Sequence, residues 1–152
     1  MNPRIIVLVL ALLVIGLPAR AQAGTRMLMY TFQEGSVLIQ VGFIDTPRAP
    51  RGFVLSPSSP KRQKMFSVSR QQFETTWRAL HSSGAEKFGG NKSANRTFDA
   101  VKNYVFSVTD MPAGANLPNG AVTNFVVPKN RASPQVVSLA RQFEAFSSAG
   151  RR

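Results

Sequence analysis

SVSRQQFETTWRAL, residues 67–80, changes its period part-way along. In QKMFSVS (63–69), which runs into it, Phe66 and Val68 fall on one side, the repeat of a β-strand. After Ser69 the spacing lengthens. Phe73, Trp77 and Leu80 follow at i, i+4 and i+7, one stripe of a helix. Ser69 and Gln72 stand at capping-box spacing, so the hydroxyl can accept from the Gln72 amide. Arg70, Gln71, Glu74 and Arg78 occupy the other faces, and Gly84 suits the terminator. A strand that passes directly into an amphipathic helix points to a sheet with the helix stripe laid on it. Trp77 belongs to that stripe and is expected to pack against the sheet rather than to grip a ligand.

Working outward, the same alternation recurs upstream. RMLMYTF (26–32) puts Leu28, Tyr30 and Phe32 on one side, and SVLIQVGFID (36–45) does so with Val37, Ile39, Val41 and Phe43. Gln33-Glu34-Gly35 between them is short and contains glycine, which predicts a hairpin. RGFVLS (51–56) is a third strand and 63–69 the fourth. Downstream, GAEKFGGNKSANRT (84–97) reads as a polar, glycine-rich connection. KNYVFSVTD (102–110) is a fifth strand. MPAGANLPNG (111–120) is a long turn ending in Asn119-Gly120, and AVTNFVV (121–127) is a sixth strand stopped by Pro128. Ser133-Pro134 offers an N-cap with proline at the first helical position. Val136, Leu139, Ala140, Phe143 and Phe146 form the stripe of a second helix, and SSAGRR is a frayed basic tail. The reading is a single α+β domain, order ββββαββα: a mainly antiparallel sheet of about six strands packed by two amphipathic helices.

The N-terminus predicts the compartment. Arg4 is followed by an apolar run from Ile5 to Leu17, Pro18, and the small residues Ala21 and Ala23. That is the layout of a secretory signal peptide. The run has 13 residues, whereas a membrane-spanning helix needs about 20. Residues 1–23 are therefore expected to be removed, leaving 24–152 as the domain, without a transmembrane segment, in the periplasm or outside the cell. The chain has no Cys, so disulfides, thiolate metal sites and a Cys nucleophile are excluded.

Catalytic chemistry has little to draw on. His81 is the only His, and the carboxylates Glu34, Asp45, Glu74, Glu86, Asp99, Asp110 and Glu144 are scattered singly, with no zinc or calcium spacing. No Gly-x-Ser-x-Gly occurs. GGNKS (89–93) fails as a phosphate loop because Asn91 separates glycine from lysine. No catalytic residue, metal ligand or cofactor is assigned. A small extracytoplasmic hydrolase built from Glu86, Asp99 and His81 is the alternative to a non-enzymatic role.

Charge supplies the regional signal. The chain carries 19 Lys+Arg against 7 Asp+Glu. From Thr46 to Phe73 no acidic residue occurs, while Arg48, Arg51, Lys61, Arg62, Lys64 and Arg70 are all cationic and Pro47, Pro50, Pro57 and Pro60 stiffen the connections. Arg48, Arg51, Lys61, Arg62 and Lys64 are the candidate binding residues for an anionic partner, whose phosphate, sulfate or carboxylate groups they can hold. Outside the cytoplasm such a partner is a cell-envelope polymer or a layer of lipid headgroups. Nucleic acid is disfavoured, because Phe53 and Phe66 are the only aromatics among these cations and both suit a core. The expected function is an exported, non-enzymatic binding or interaction domain.

Overall fold

The computed structural model describes residues 24–46, 48–56, 63–91, 98–111 and 122–150. It is an α+β domain built on one antiparallel sheet. The strands are β1 (Thr25–Glu34), β2 (Val37–Asp45), β3 (Arg51–Leu55), β4 (Lys64–Ser67), β5 (Gly89–Asn91), β6 (Asn103–Met111) and β7 (Val122–Pro128). Their order across the sheet is β4-β3-β2-β1-β6-β7-β5. The helices are α1 (Arg70–Ser82) and α2 (Pro134–Gly150). The expected order ββββαββα holds for the six expected strands. The seventh, β5, lies in the segment read as a polar connection, after a short 3-10 helix, Ala85–Phe88.

Local chemistry explains the elements. Gly35, at φ 61°, turns the chain between β1 and β2 in a conformation that favours glycine. The resulting register pairs Glu34 with Val37 and, at the other end, Arg26 with Asp45. The Gln72 amide donates to Ser69 Oγ (3.1 Å), as the capping spacing requires. The Val136 amide donates to Ser133 Oγ (3.2 Å), and the same hydroxyl donates to Ser83 O (2.8 Å), tying the start of α2 to the end of α1.

Both helices lie on one face of the sheet. Leu28, Tyr30, Ile39, Val41, Phe43, Val54, Phe106, Val108, Phe125 and Val127 project from the strands onto Phe73 and Leu80 of α1 and Val136, Leu139, Ala140 and Phe143 of α2. Trp77 is partly buried against this cluster, stacked on Phe73 with ring centroids 5.8 Å apart. The core-packing expectation for Trp77 therefore holds, at the margin of the core rather than at its centre.

The opposite face is buried as well. Met27, Met29, Ile44, Phe53, Leu55, Phe98 and Val105 form a second, smaller cluster there. Between them sit polar pairs: Gln40 Nε2 donates to Thr31 Oγ1 (3.4 Å), and Ser107 Oγ donates to Asn124 Oδ1 (2.7 Å). Three phenylalanine rings lie over glycines directly opposite them in the adjacent strand: Phe53 over Gly42, Phe66 over Gly52 and Phe125 over Gly89. A glycine without Cβ leaves room on the pleat for a neighbouring ring, so each pair packs a face that either residue alone would leave incomplete.

Candidate functional site

The edge of the sheet at β3 and β4 carries the described part of the basic segment. Arg48, Arg51 and Lys64 are all exposed. Arg51 stands opposite Ser67 across β3–β4, and Lys64 opens β4. Lys61 and Arg62 lie outside the described residues. β4 is the outermost strand and, among the described residues, pairs with β3 alone. Three of its four residues are exposed, and Met65 keeps 45 % of its surface in solvent. At the end where Arg51 meets Ser67 the surface dips into a shallow depression of about 400 Å³ lined by Pro50, Arg51, Met65, Phe66 and Val68 among others. As expected, Phe53 and Phe66 serve the core. Phe53 is fully buried, and Phe66 stacks on Phe146 of α2 with centroids 6.3 Å apart.

Arg70, the last cation of the acid-free stretch, is spent differently. Its Nη1 lies 2.8 Å from Asp45 Oδ1. Asp45 also receives Arg26 Nη2 at 2.8 Å, and Arg26 forks onto both oxygens of Glu74. The register that places Arg26 opposite Asp45 at the end of the β1–β2 hairpin sets this network beneath the first turns of α1. Phe73 and Trp77 flank the guanidinium of Arg26, with ring centroids 4.9 and 5.3 Å away. The hydrogen bonds that Arg26 donates, to Glu74 first and then to Asp45, hold it still further in its charged form against partial burial. In return Arg26, chiefly through its hydrogen bond, and then Arg78 and Arg70 hold the Glu74 carboxyl below its ordinary range. Burial, then the charge and hydrogen bond of Glu144, push the Tyr30 phenol upward. These groups fasten α1 and α2 to the sheet.

The Glu74 shift has a consequence at low pH. A carboxyl depressed in the fold stabilises it above the ordinary carboxylate range of about 4.3, and that contribution is lost as pH falls through the folded value. Glu74→Gln should therefore flatten the loss of melting temperature between pH 5 and pH 3 by a few degrees relative to wild type. The effect is small because the pair is partly solvated. Parallel melting curves for the two proteins over that range would contradict it.

The hydrolase residues divide. His81 Nδ1 meets a carboxylate oxygen of Glu86, and the imidazole also packs against Trp77 at a ring distance of 5.1 Å. Asp99 is engaged elsewhere: its Oδ1 accepts from the amides of Val101 (3.0 Å) and Lys102 (3.2 Å) and caps the turn before β6. A carboxylate-held imidazole is a possible general base, but both groups stand on the surface at the end of α1. Among the described residues no group of three or more His, Asp or Glu side chains is placed to hold a metal ion. No helix among them is long and apolar enough to cross a membrane. Met111, the described end of the long turn, pairs with Thr25 at the end of β6, and the rest of that turn lies outside the described residues.

No protein-family model matches the chain, and neither a curated protein nor a solved structure is found to be similar to it.

Proposed function

We propose that this chain is an exported, non-enzymatic domain that binds an anionic polymer or surface through Arg48, Arg51 and Lys64 at the β3–β4 edge. The carrying observation is the contrast between two groups of cations. Arg26 and Arg70 are neutralised by Asp45 and Glu74. Arg48 and Arg51 stay exposed on a run of chain without any acid from Thr46 to Phe73, and among the described residues neither joins an ion pair with a carboxylate. A local excess of one charge raises the concentration of oppositely charged partners at that edge.

The test uses protein recovered after export, whose N-terminus should be Gly24, and two probes: oligoglutamate and phosphatidylglycerol vesicles. Replacing Arg48, Arg51 and Lys64 together by Gln should weaken binding to the recognised probe on the order of a hundredfold, at about 1 kcal/mol per cation near an anionic surface. Replacing Lys87, Lys102 and Arg141 by Gln removes the same charge elsewhere and should weaken it far less. Equal losses in the two variants would reduce the edge to a solvated face. The contact between His81 and Glu86 supports the second reading, a small hydrolase. His81→Ala distinguishes them, since binding at the β3–β4 edge does not use that imidazole.

A further inference from the structure

We infer that β4 accepts an extended acidic polypeptide segment as the next strand of the sheet, with acidic residues near both ends of β4 and an apolar residue between. The inference rests on the reading of the β3–β4 edge as an anion-binding surface and names the partner that edge fits.

Four features of the edge converge on an extended segment. An outermost strand presents a row of backbone N–H and C=O groups that can continue the ladder. Among the described strands β4 holds that position, with three of its four residues exposed. Charge is placed at both ends of the strand rather than spread along it: Lys64 opens β4, while Arg51 faces Ser67 at its close and Arg48 stands just upstream of β3. The middle of the strand is apolar, with Met65 45 % exposed and Phe66 half-buried. The depression beside Pro50, Met65, Phe66 and Val68 gives an apolar side chain somewhere to go.

Alternatives fit these features less well. Pairing of β4 with a second copy of itself would bring Lys64 and Arg51 against like charges, which is how natural edges resist self-association. A bilayer surface rewards a broad apolar face. The other exposed large apolar residues among those described, Val37 and Val101, lie at the far end of β2 and before β6. An extended segment needs only a narrow strip: four residues of β4 span about 13 Å at 3.3 Å per residue.

Fluorescence anisotropy with three labelled peptides of equal charge tests this. One alternates glutamate with valine, the second has the same sequence but is N-methylated at alternate amides, and the third is oligoglutamate. Phosphatidylglycerol vesicles form a fourth arm. The alternating peptide should bind about tenfold more tightly than oligoglutamate, because it adds ladder hydrogen bonds and an apolar contact to the shared charge. N-methylation should abolish the gain, and the Arg48→Gln, Arg51→Gln, Lys64→Gln variant, with its melting temperature checked, should lose all peptide binding. Equal affinity for the alternating peptide and oligoglutamate, or indifference to N-methylation, would overturn strand addition and leave anion binding standing. Binding to vesicles alone would assign the edge to lipid and overturn it too. Binding to no probe would remove both the inference and the reading beneath it.

Discussion

Phe43→Ala is expected to cost about 3–5 kcal/mol, enough to bring a domain of this size close to unfolding. Phe43 stands on β2 with no exposed surface. Its ring meets Phe143 at 5.4 Å and Phe146 edge-on at 5.1 Å, both on α2, and Phe66 of β4 at 6.3 Å. Removing it would leave a cavity where the sheet, its outer strand and α2 join, and surrounding rings held in other contacts would not collapse into it. Val37→Ala on the same strand removes a side chain that is 42 % exposed and should change stability by no more than about 0.5 kcal/mol. Denaturant titration of the two variants makes the comparison. A loss under about 1 kcal/mol for Phe43→Ala would show that α2 does not pack on β2 as described.

Gly42→Ala, one residue away on the other face, should cost about 3 kcal/mol, the upper end of what overpacking a core does. A Cβ at this position would sit 2.5 Å from the carbonyl oxygen of Leu28 and 2.6 Å from the edge of the Phe53 ring. The first neighbour is backbone, held by the β1–β2 ladder, and cannot withdraw without opening the central pair of the sheet. The second is a fully buried ring. Combining Gly42→Ala with Phe53→Leu should recover only part of the loss, since the Leu28 oxygen stays in place. Gly35→Asn is the control, because asparagine tolerates the φ of 61° at that turn and nothing stands within 4 Å of a Cβ there. A loss for Gly42→Ala no larger than that for Gly35→Asn would mean that β1 and β2 are not paired in this register.

Alternation and capping carried most of the architecture. Ser69, Ser133-Pro134 and the stripes through Phe73, Leu80, Val136 and Phe143 read directly as helices, and β1, β2, β3, β6 and β7 lie within a residue or a few of their expected bounds. The fourth strand is shorter than 63–69 because pairing with β3 ends where Ser67 meets Arg51, although Val68 is buried beyond it. β5 was hidden for a physical reason: Gly89-Gly90-Asn91 has no side-chain pattern, and it is the Phe125 ring lying over Gly89 that seats it on β7. The second buried face was hidden in a similar way. Thr31, Gln40 and Ser107 are polar and alternate with the helix-facing residues, yet they are covered and hydrogen-bonded among Met29, Ile44 and Phe53.

The candidate site was legible as a stretch of charge but not as a surface. Sequence could not separate Arg70, which Asp45 neutralises, from Arg48 and Arg51, which remain exposed. That distinction depends on the hairpin register that brings Arg26 and Asp45 together under α1. The register could have been counted outward from Gly35. The exposure of β4 could not, because it follows from strand order.

The most direct test of the β3–β4 edge as the binding surface is an NMR titration of the ¹⁵N-labelled protein with oligoglutamate at low salt. Amide shifts should concentrate in Arg48, Arg51 and Lys64–Ser67, disappear in the Arg48→Gln, Arg51→Gln, Lys64→Gln variant, and fade as salt shortens the reach of exposed charges below about 10 Å. Shifts spread evenly over the cationic surface, or gathered at Lys129 and Arg131 instead, would contradict the assignment.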